Sequence, residues 1–104
     1  MLETTRTDDP KGLRIAGEID LTTVDEFRSA LAPLVREGGD ITLDVGDLRF
    51  IDSSGVQVLI GALGELSDRG RLILLRPRPT VVRLVKVLGI QQFENFEVRE
   101  EGSS

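Results

Sequence analysis

The stretch Phe50-Ile51-Asp52-Ser53-Ser54-Gly55-Val56 sets a carboxylate and two hydroxyls between an apolar pair and the start of a long apolar run. Asp and Ser ahead of such a run are helix N-cap residues. Their side-chain oxygens accept from first-turn amides that have no helical partner. The stretch therefore predicts a strand-to-helix junction. Ile41-Thr42-Leu43-Asp44-Val45 reads as a short strand, Asp47 to Ser54 as a loop whose Phe50 and Ile51 tuck inward, and Gly55 to Arg69 as a helix stopped by Gly70.

Outward from this junction the chain alternates strands and helices. Upstream, Leu2 to Thr7 is an edge-strand candidate and Asp8-Asp9-Pro10-Lys11-Gly12 a turn. Leu13-Arg14-Ile15-Ala16-Gly17 alternates apolar and polar residues with Ile19 in phase, so the pair reads as a hairpin. Thr23 and Glu26 have the spacing of a capping box. Val24, Phe27, Leu31, Leu34 and Val35 then share one helical face that ends at Gly38-Gly39, and Pro33 is expected to kink its last turn. Downstream, Leu72-Ile73-Leu74-Leu75 suits a strand covered on both faces. Thr80 to Leu88 is a third helix with Gly89 past its end, and Phe96-Glu97-Val98-Arg99 a last short strand. The order is ββαβαβα and a short end piece. Strands joined by helical crossovers run parallel with right-handed connections, so the fold class is α/β, a twisted mixed sheet with helices against it. The 104 residues suffice for one domain, residues 1–104, with a core over about 13–98; 100–104 are expected to fray.

Composition excludes several functions. With four Phe and no Tyr or Trp, the core is built from Leu, Val and Ile, and aromatic platforms for stacked bases are lacking. The net charge of −5 opposes a phosphate-tracking surface, so no nucleic-acid partner is expected. There is no Cys and no His, which removes thiolate metal sites, Cys nucleophiles and the commonest general base. No catalytic and no metal-binding residue is assigned. No apolar segment follows Met1, and the longest apolar stretch, Val56 to Leu66, is too short and too interrupted to span a bilayer. A cytoplasmic protein without a membrane partner is expected.

In open α/β sheets, strand-to-helix loops gather at the carboxyl edge and binding sites favour that edge. Here those loops are Glu18 to Thr23, Gly46 to Gly55 and Arg76 to Thr80. Ser53 or Ser54 in the middle loop is either simply a cap or an acceptor for a phosphate, which a helix N-terminus tolerates. Phosphate would add roughly −1.5 to −2 charge. A surface carrying Asp20, Asp47 and Asp52 would then become strongly acidic. In the following helix, Gln57, Gly61, Gly64, Glu65 and Asp68 share the outer face, flanked by Val56 and Ile60. Glycine in an exposed helix costs about 1 kcal/mol relative to Ala. That cost points to a partner laid flat on this face, or else is simply tolerated. Ser54 is not read as an enzymatic nucleophile. The Asp-Ser-Ser-Gly stretch lacks the glycine that a nucleophile elbow needs two places earlier, and Lys11 and Lys86 are the only lysines. Arg76, Arg78, Arg83 and Lys86 form a basic cluster near the third loop, either solvated surface or a contact for an acidic group.

Three segments in order carry a family resemblance. Leu43-Asp44-Val45, with Leu48-Arg49-Phe50-Ile51-Asp52-Ser53-Ser54-Gly55-Val56, resembles the signature of the STAS domain, and most of all that of bacterial anti-sigma factor antagonists. Gly17-Glu18-Ile19-Asp20 with Thr22-Thr23, and Val87-Leu88-Gly89-Ile90 with Phe93, are similar to two further landmarks. The resemblance runs from about Leu13 to Val98. It implies a mixed four- or five-stranded sheet with helices mainly on one face. It also implies an antagonist that binds a kinase-type anti-sigma factor and lets go once phosphorylated on serine. The acceptor carries over to Ser54, with Ser53 the second choice and Asp20, Asp52 and Gly55 its neighbours. Thr22, Asp47, Ser53, Val56, Gln57, Ile60, Gly61 and Gly64 are the candidate partner-binding residues. No cofactor is implied for this chain; ATP and Mg would belong to the partner kinase. A monomer or weak homodimer is expected. STAS domains also serve, unswitched, in stress-signalling scaffolds and in lipid- or anion-transport complexes.

Overall fold

The computed structural model describes residues 1–100; the expected fraying of 101–104 lies outside the described residues. β1 (Leu2–Asp8) and β2 (Lys11–Ile19) form the hairpin, antiparallel and joined at Asp9-Pro10. β2, β3 (Ile41–Ile51), β4 (Leu72–Leu75) and β5 (Phe96–Arg99) run parallel, and the sheet order is β1-β2-β3-β4-β5. The crossovers are α1 (Val24–Glu37), α2 (Ser53–Leu66) and α3 (Pro79–Val87). Each crossover steps to the next strand in the same direction. Right-handed connections repeated that way put all three helices on one face.

The core lies on that face. Leu13, Ile15 and Ile19 of β2, Leu43, Val45 and Leu48 of β3 and Leu72 and Leu74 of β4 are buried against Phe27, Leu31 and Leu34 of α1, Leu59, Leu63 and Leu66 of α2, and Val81 and Val85 of α3. At about 1.5–3 kcal/mol per fully buried aliphatic side chain, this is the main favourable term of the fold. Ion pairs accompany the other side of the strands: Arg49 with Glu18, Arg76 with Asp44, and Arg71 and Arg99 with Glu97.

Several local expectations change. β3 extends to Ile51, so the Asp47–Ser54 loop is mostly strand and shrinks to Asp52. The strand carries two bulges against β2: the register steps from Arg14↔Asp44 to Ala16↔Asp47 and from Gly17↔Leu48 to Glu18↔Phe50. Each bulge adds a residue and resets the alternation, so Leu48 and Ile51, three apart, both point inward. Phe50 is thereby turned out and is 49% exposed. α2 begins two residues early, at Ser53, and ends at Leu66 in a 3₁₀ turn, Ser67–Arg69. Gly70 is extended rather than left-handed; it is required because a Cβ there would stand 2.1 Å from the Gly39 carbonyl oxygen. The Thr23–Glu26 capping box does not form. The Thr23 hydroxyl turns back instead, donating to the Glu18 carbonyl at 2.9 Å and accepting from the Asp20 amide at 3.0 Å. α1 continues through Pro33 to Glu37. Gly89 does stop α3 with a left-handed φ of 74°.

Candidate functional site

The junction between β3 and α2 is built around Asp52. Its amide donates to the Ile19 carbonyl at 3.0 Å, prolonging the β2–β3 ladder by one bond. Its carboxylate then caps α2: Oδ1 accepts from the Ser54 amide at 2.9 Å and the Gly55 amide at 3.3 Å. The cap is thus Asp52, not Ser53 or Ser54, and these serines are the first two residues of the helix. Ser53 is exposed. Ser54 is half-buried, and its hydroxyl donates to the same Oδ1 of Asp52.

Gly55 is a steric requirement. A Cβ at this position would lie 2.6 Å from Ile51 Cγ1 and 2.7 Å from Ile19 Cγ2. The first turn of α2 therefore rests directly on the ends of β2 and β3, and this contact fixes the height of Ser54 above the sheet edge.

Asp20 follows Ile19 as Asp52 follows Ile51, and the two isoleucines are register partners. The two aspartates thus stand at neighbouring strand ends. Asp20 Oδ1 accepts from the Thr22 hydroxyl at 2.6 Å and the Thr22 amide at 2.9 Å. These bonds, the hydroxyl first, hold its carboxyl below the usual carboxylate range, so Asp20 is a fixed negative charge near neutral pH. Thr22 and Leu21 are exposed beside it, Leu21 at 80%.

The candidate partner-binding residues divide. Gln57, Gly61 and Gly64 are exposed on α2, and a Cβ at either glycine would meet nothing within 4 Å. Ile60 is half-buried at the edge of this face. A shallow groove of about 280 Å³ runs between α1 and α2, past Leu31, Ala32, Val58 and Gly61. Val56 is a correction. It is 0% exposed, because Val56, Leu59, Leu63 and Leu66 form one stripe at helical spacing, which faces the sheet. Asp47 is also separated from the rest. It is exposed within β3, paired with Ala16, roughly 13 Å down the strand from the Ile51 end. It lines a pocket with Met1, Glu3, Arg49 and Arg78.

The third loop is tied to β3 by its arginines. Arg78 Nε donates to the Gly46 carbonyl at 3.1 Å, and Arg76 pairs with Asp44. Lys11 lies at the other end of α1, donating to the Leu34 and Gly38 carbonyls, so it is not a base for Ser54. Among the described residues, no group of three or more Asp or Glu is arranged to hold a metal ion, and no helix is long and apolar enough to cross a membrane. Sequence reasoning missed Phe50 as a surface residue, since the signal, a doubled bulge, is invisible without the neighbouring strand. It also missed Asn95. The amide Nδ2 of Asn95 donates to the Leu63, Ser67 and Gly70 carbonyls at 3.0–3.2 Å and closes the far end of α2.

Known proteins share this fold. The anti-sigma-B factor antagonist of Bacillus subtilis is 28% identical over 91 residues, covering 86% of this chain and 84% of that protein. The structure of the anti-sigma factor antagonist SpoIIAA in its unphosphorylated form superposes with a TM-score of 0.71 at 27% identity, over 94% of this chain and 87% of that one. The Bacillus cell fate determinant SpoIIAA in its phosphorylated form superposes with a TM-score of 0.65, also at 27% identity, over 94% and 90%. The family model described as "Mlab, STAS domain" matches residues 2–98, nearly the whole described chain. The sequential five-stranded sheet and this match agree: the chain belongs to the STAS domain family.

Proposed function

We propose that the chain is an anti-sigma factor antagonist that binds a kinase-type anti-sigma factor and is released from it when Ser54 is phosphorylated. The observation that carries this reading is the Ser54 hydroxyl, half-open at the second residue of α2 and bonded to the capping carboxylate of Asp52. The relatives' names, and the two forms in which SpoIIAA is described, support it.

The partner transfers the γ-phosphoryl of ATP to Ser54 Oγ. The Oγ–Pγ bond forms as the bond from Pγ to the β–γ bridging oxygen breaks, the hydroxyl proton passes to a base of the kinase, and ADP is the leaving group; ATP and Mg belong to that protein. The present chain does no chemistry of its own. What it supplies is a hydroxyl held at the helix tip and an environment in which the product is a switch. The modified oxygen can no longer donate to Asp52. Three acceptor oxygens carrying roughly −1.5 to −2 charge now stand beside the Asp52 side chain, with Asp20 at the next strand end. Two unit charges 4 Å apart repel by about 1 kcal/mol in water and about 4 kcal/mol at the effective dielectric of a protein surface. The helix survives, because an anion at its amino end is favourable. The surface offered to the partner does not, since it has gained charge and lost a donor. That surface is Thr22, Ser53, Gln57, Ile60, Gly61 and Gly64 around Ser54, on a cytoplasmic monomer or weak homodimer.

Incubation with ATP and the kinase-type anti-sigma factor, followed by peptide mass spectrometry, tests the assignment. A single phosphate on Ser54 is expected; a phosphate outside the serine pair Ser53-Ser54 overturns it. One observation favours a second reading, an unswitched STAS subunit of a scaffold or of a lipid- or anion-transport complex: the matching family model is described by Mlab rather than by an antagonist. In that case Ser54→Asp leaves partner capture unchanged.

A further inference from the structure

We propose that the cleft between the end of β3 and α3 is a docking surface for an acidic, amphipathic segment of a protein partner. This inference goes beyond the Ser54 reading and stands without it. The cleft, of about 320 Å³, is lined by Phe50, Ile51, Thr80, Arg83, Leu84 and Val87. Phe50 is 49% exposed and Val87 73%, two of the four large apolar side chains left open to solvent among the described residues. Thr80, Arg83, Leu84 and Val87 form one stripe of α3 at helical spacing, and Phe50 faces it because of the second bulge in β3.

Charge identifies the occupant. From Arg69 to Phe93 the chain holds six cations and no Asp or Glu, within a protein whose net charge is −5. Of these cations, Arg71 pairs with Glu97 and Arg76 with Asp44, and Arg78 binds the Gly46 carbonyl. Arg83 and Lys86, exposed on α3, make no ion pair among the described residues, although Glu100 lines the neighbouring groove with them. An apolar cleft rimmed by uncommitted cations complements apolar anchors carried between carboxylates. A second copy of this chain fits poorly, since a two-fold contact sets Arg83 and Lys86 against their own images. A lipid surface fits poorly as well, since it needs a protruding apolar face and this one is concave.

The probe is a fluorescein-labelled peptide of about 15 residues, with Leu and Phe at helical spacing among Glu and Asp. A basic peptide with the same apolar spacing and anionic phosphatidylglycerol vesicles are the comparisons. The acidic peptide is expected to bind about tenfold tighter than the basic one and to move the amide resonances of Phe50, Arg83 and Val87. Binding should weaken at about 1 M salt, where screening reaches about 3 Å. Phe50→Ala and Arg83→Glu, both at exposed positions and expected to keep the native circular dichroism spectrum, should each weaken it about tenfold. Equal affinity for the two peptides, unchanged affinity in both variants, capture by the vesicles instead, or a dimer in sedimentation that Phe50→Ala dissolves would each overturn the proposal. None of these measurements uses the anti-sigma factor, so their failure is separate from failure of the Ser54 switch.

Discussion

Oδ1 of Asp52 accepts both the amide and the hydroxyl of Ser54, so the atom that caps α2 is also the atom bonded to the candidate phosphoacceptor. Altering the cap therefore also alters the surroundings of the proposed switch. Asp52→Ala removes the acceptor for two helix amides and should cost about 1 kcal/mol, within a range of roughly 0.5–2. Asp52→Asn keeps an N-cap oxygen and should cost only a fraction of that. Urea unfolding followed by circular dichroism measures both; an equal loss for Asn and Ala would contradict a capping role.

The glycines of α2 should respond in opposite directions. Gly55→Ala drives a methyl group into Ile19 and Ile51 and is expected to destabilise by about 1–3 kcal/mol. Gly61→Ala and Gly64→Ala place a methyl in open space and should stabilise by up to about 1 kcal/mol each. If a partner lies flat on this face, the same two substitutions weaken its binding while raising the unfolding midpoint. Isothermal titration and urea melts on the same variants separate the two effects.

Asn95 offers a test at the opposite end of α2. Its single amide serves three carbonyls, so Asn95→Ala leaves several acceptors with one partner fewer and should cost about 1–3 kcal/mol. Asn95→Asp should be worse than Asn95→Ala, since it turns a carboxylate toward three carbonyl oxygens. Thermal unfolding of the two variants decides the order.

Acid should destabilise the protein, and the sign follows from its carboxylates. Glu37 is held below the usual carboxylate range by its bidentate bonds from Arg6, and Glu97 by its bond from Arg99. A carboxyl with a depressed folded-state pKa contributes stability that is fully present above its unfolded value, about 4, and is lost as pH falls through the folded value. Urea midpoints should therefore be flat from neutral pH to about 5 and fall below about 4, with Glu37→Gln reducing the slope. These groups are exposed, so salt should shrink the effect. A midpoint that rises on acidification would contradict the assignment.

The architecture was legible because its signals were local. The alternation of Leu13, Ile15 and Ile19, the apolar run at Leu72 and the Gly89 stop each sit within a few residues of one another, and all three elements form as expected. The second half of β3 was not legible. Bulges opposite Ala16 and Glu18 break the period of two, and without β2 beside it the segment from Asp47 reads as a loop. The same bulges hid the outward turn of Phe50 and moved Asp47 away from the serines. Thr23 misled for a related reason: its hydroxyl found a better partner in the strand end at Glu18 than in its own helix. At the site, a cap of Asp and Ser at the start of an apolar helix was legible in the residues, whereas the choice of Ser54 over Ser53 and the place of Asp20 and Gly55 beside it were implied only by the family resemblance. Val56 was misplaced by reading α2 as flanked, when its apolar stripe begins at that residue.

The affinity of the protein for the proposed kinase-type anti-sigma factor, measured by titration calorimetry on unmodified, Ser54-phosphorylated and Ser54→Ala forms, tests the central relationship most directly. Ser54→Ala should bind within a few-fold of the unmodified protein, since it removes one hydroxyl bond worth about 0.5–1.5 kcal/mol and adds no charge. The phosphorylated form should bind about a hundredfold more weakly, the equivalent of about 2.7 kcal/mol of repulsion and lost fit. Equal affinity of the phosphorylated and unmodified forms would contradict the switch.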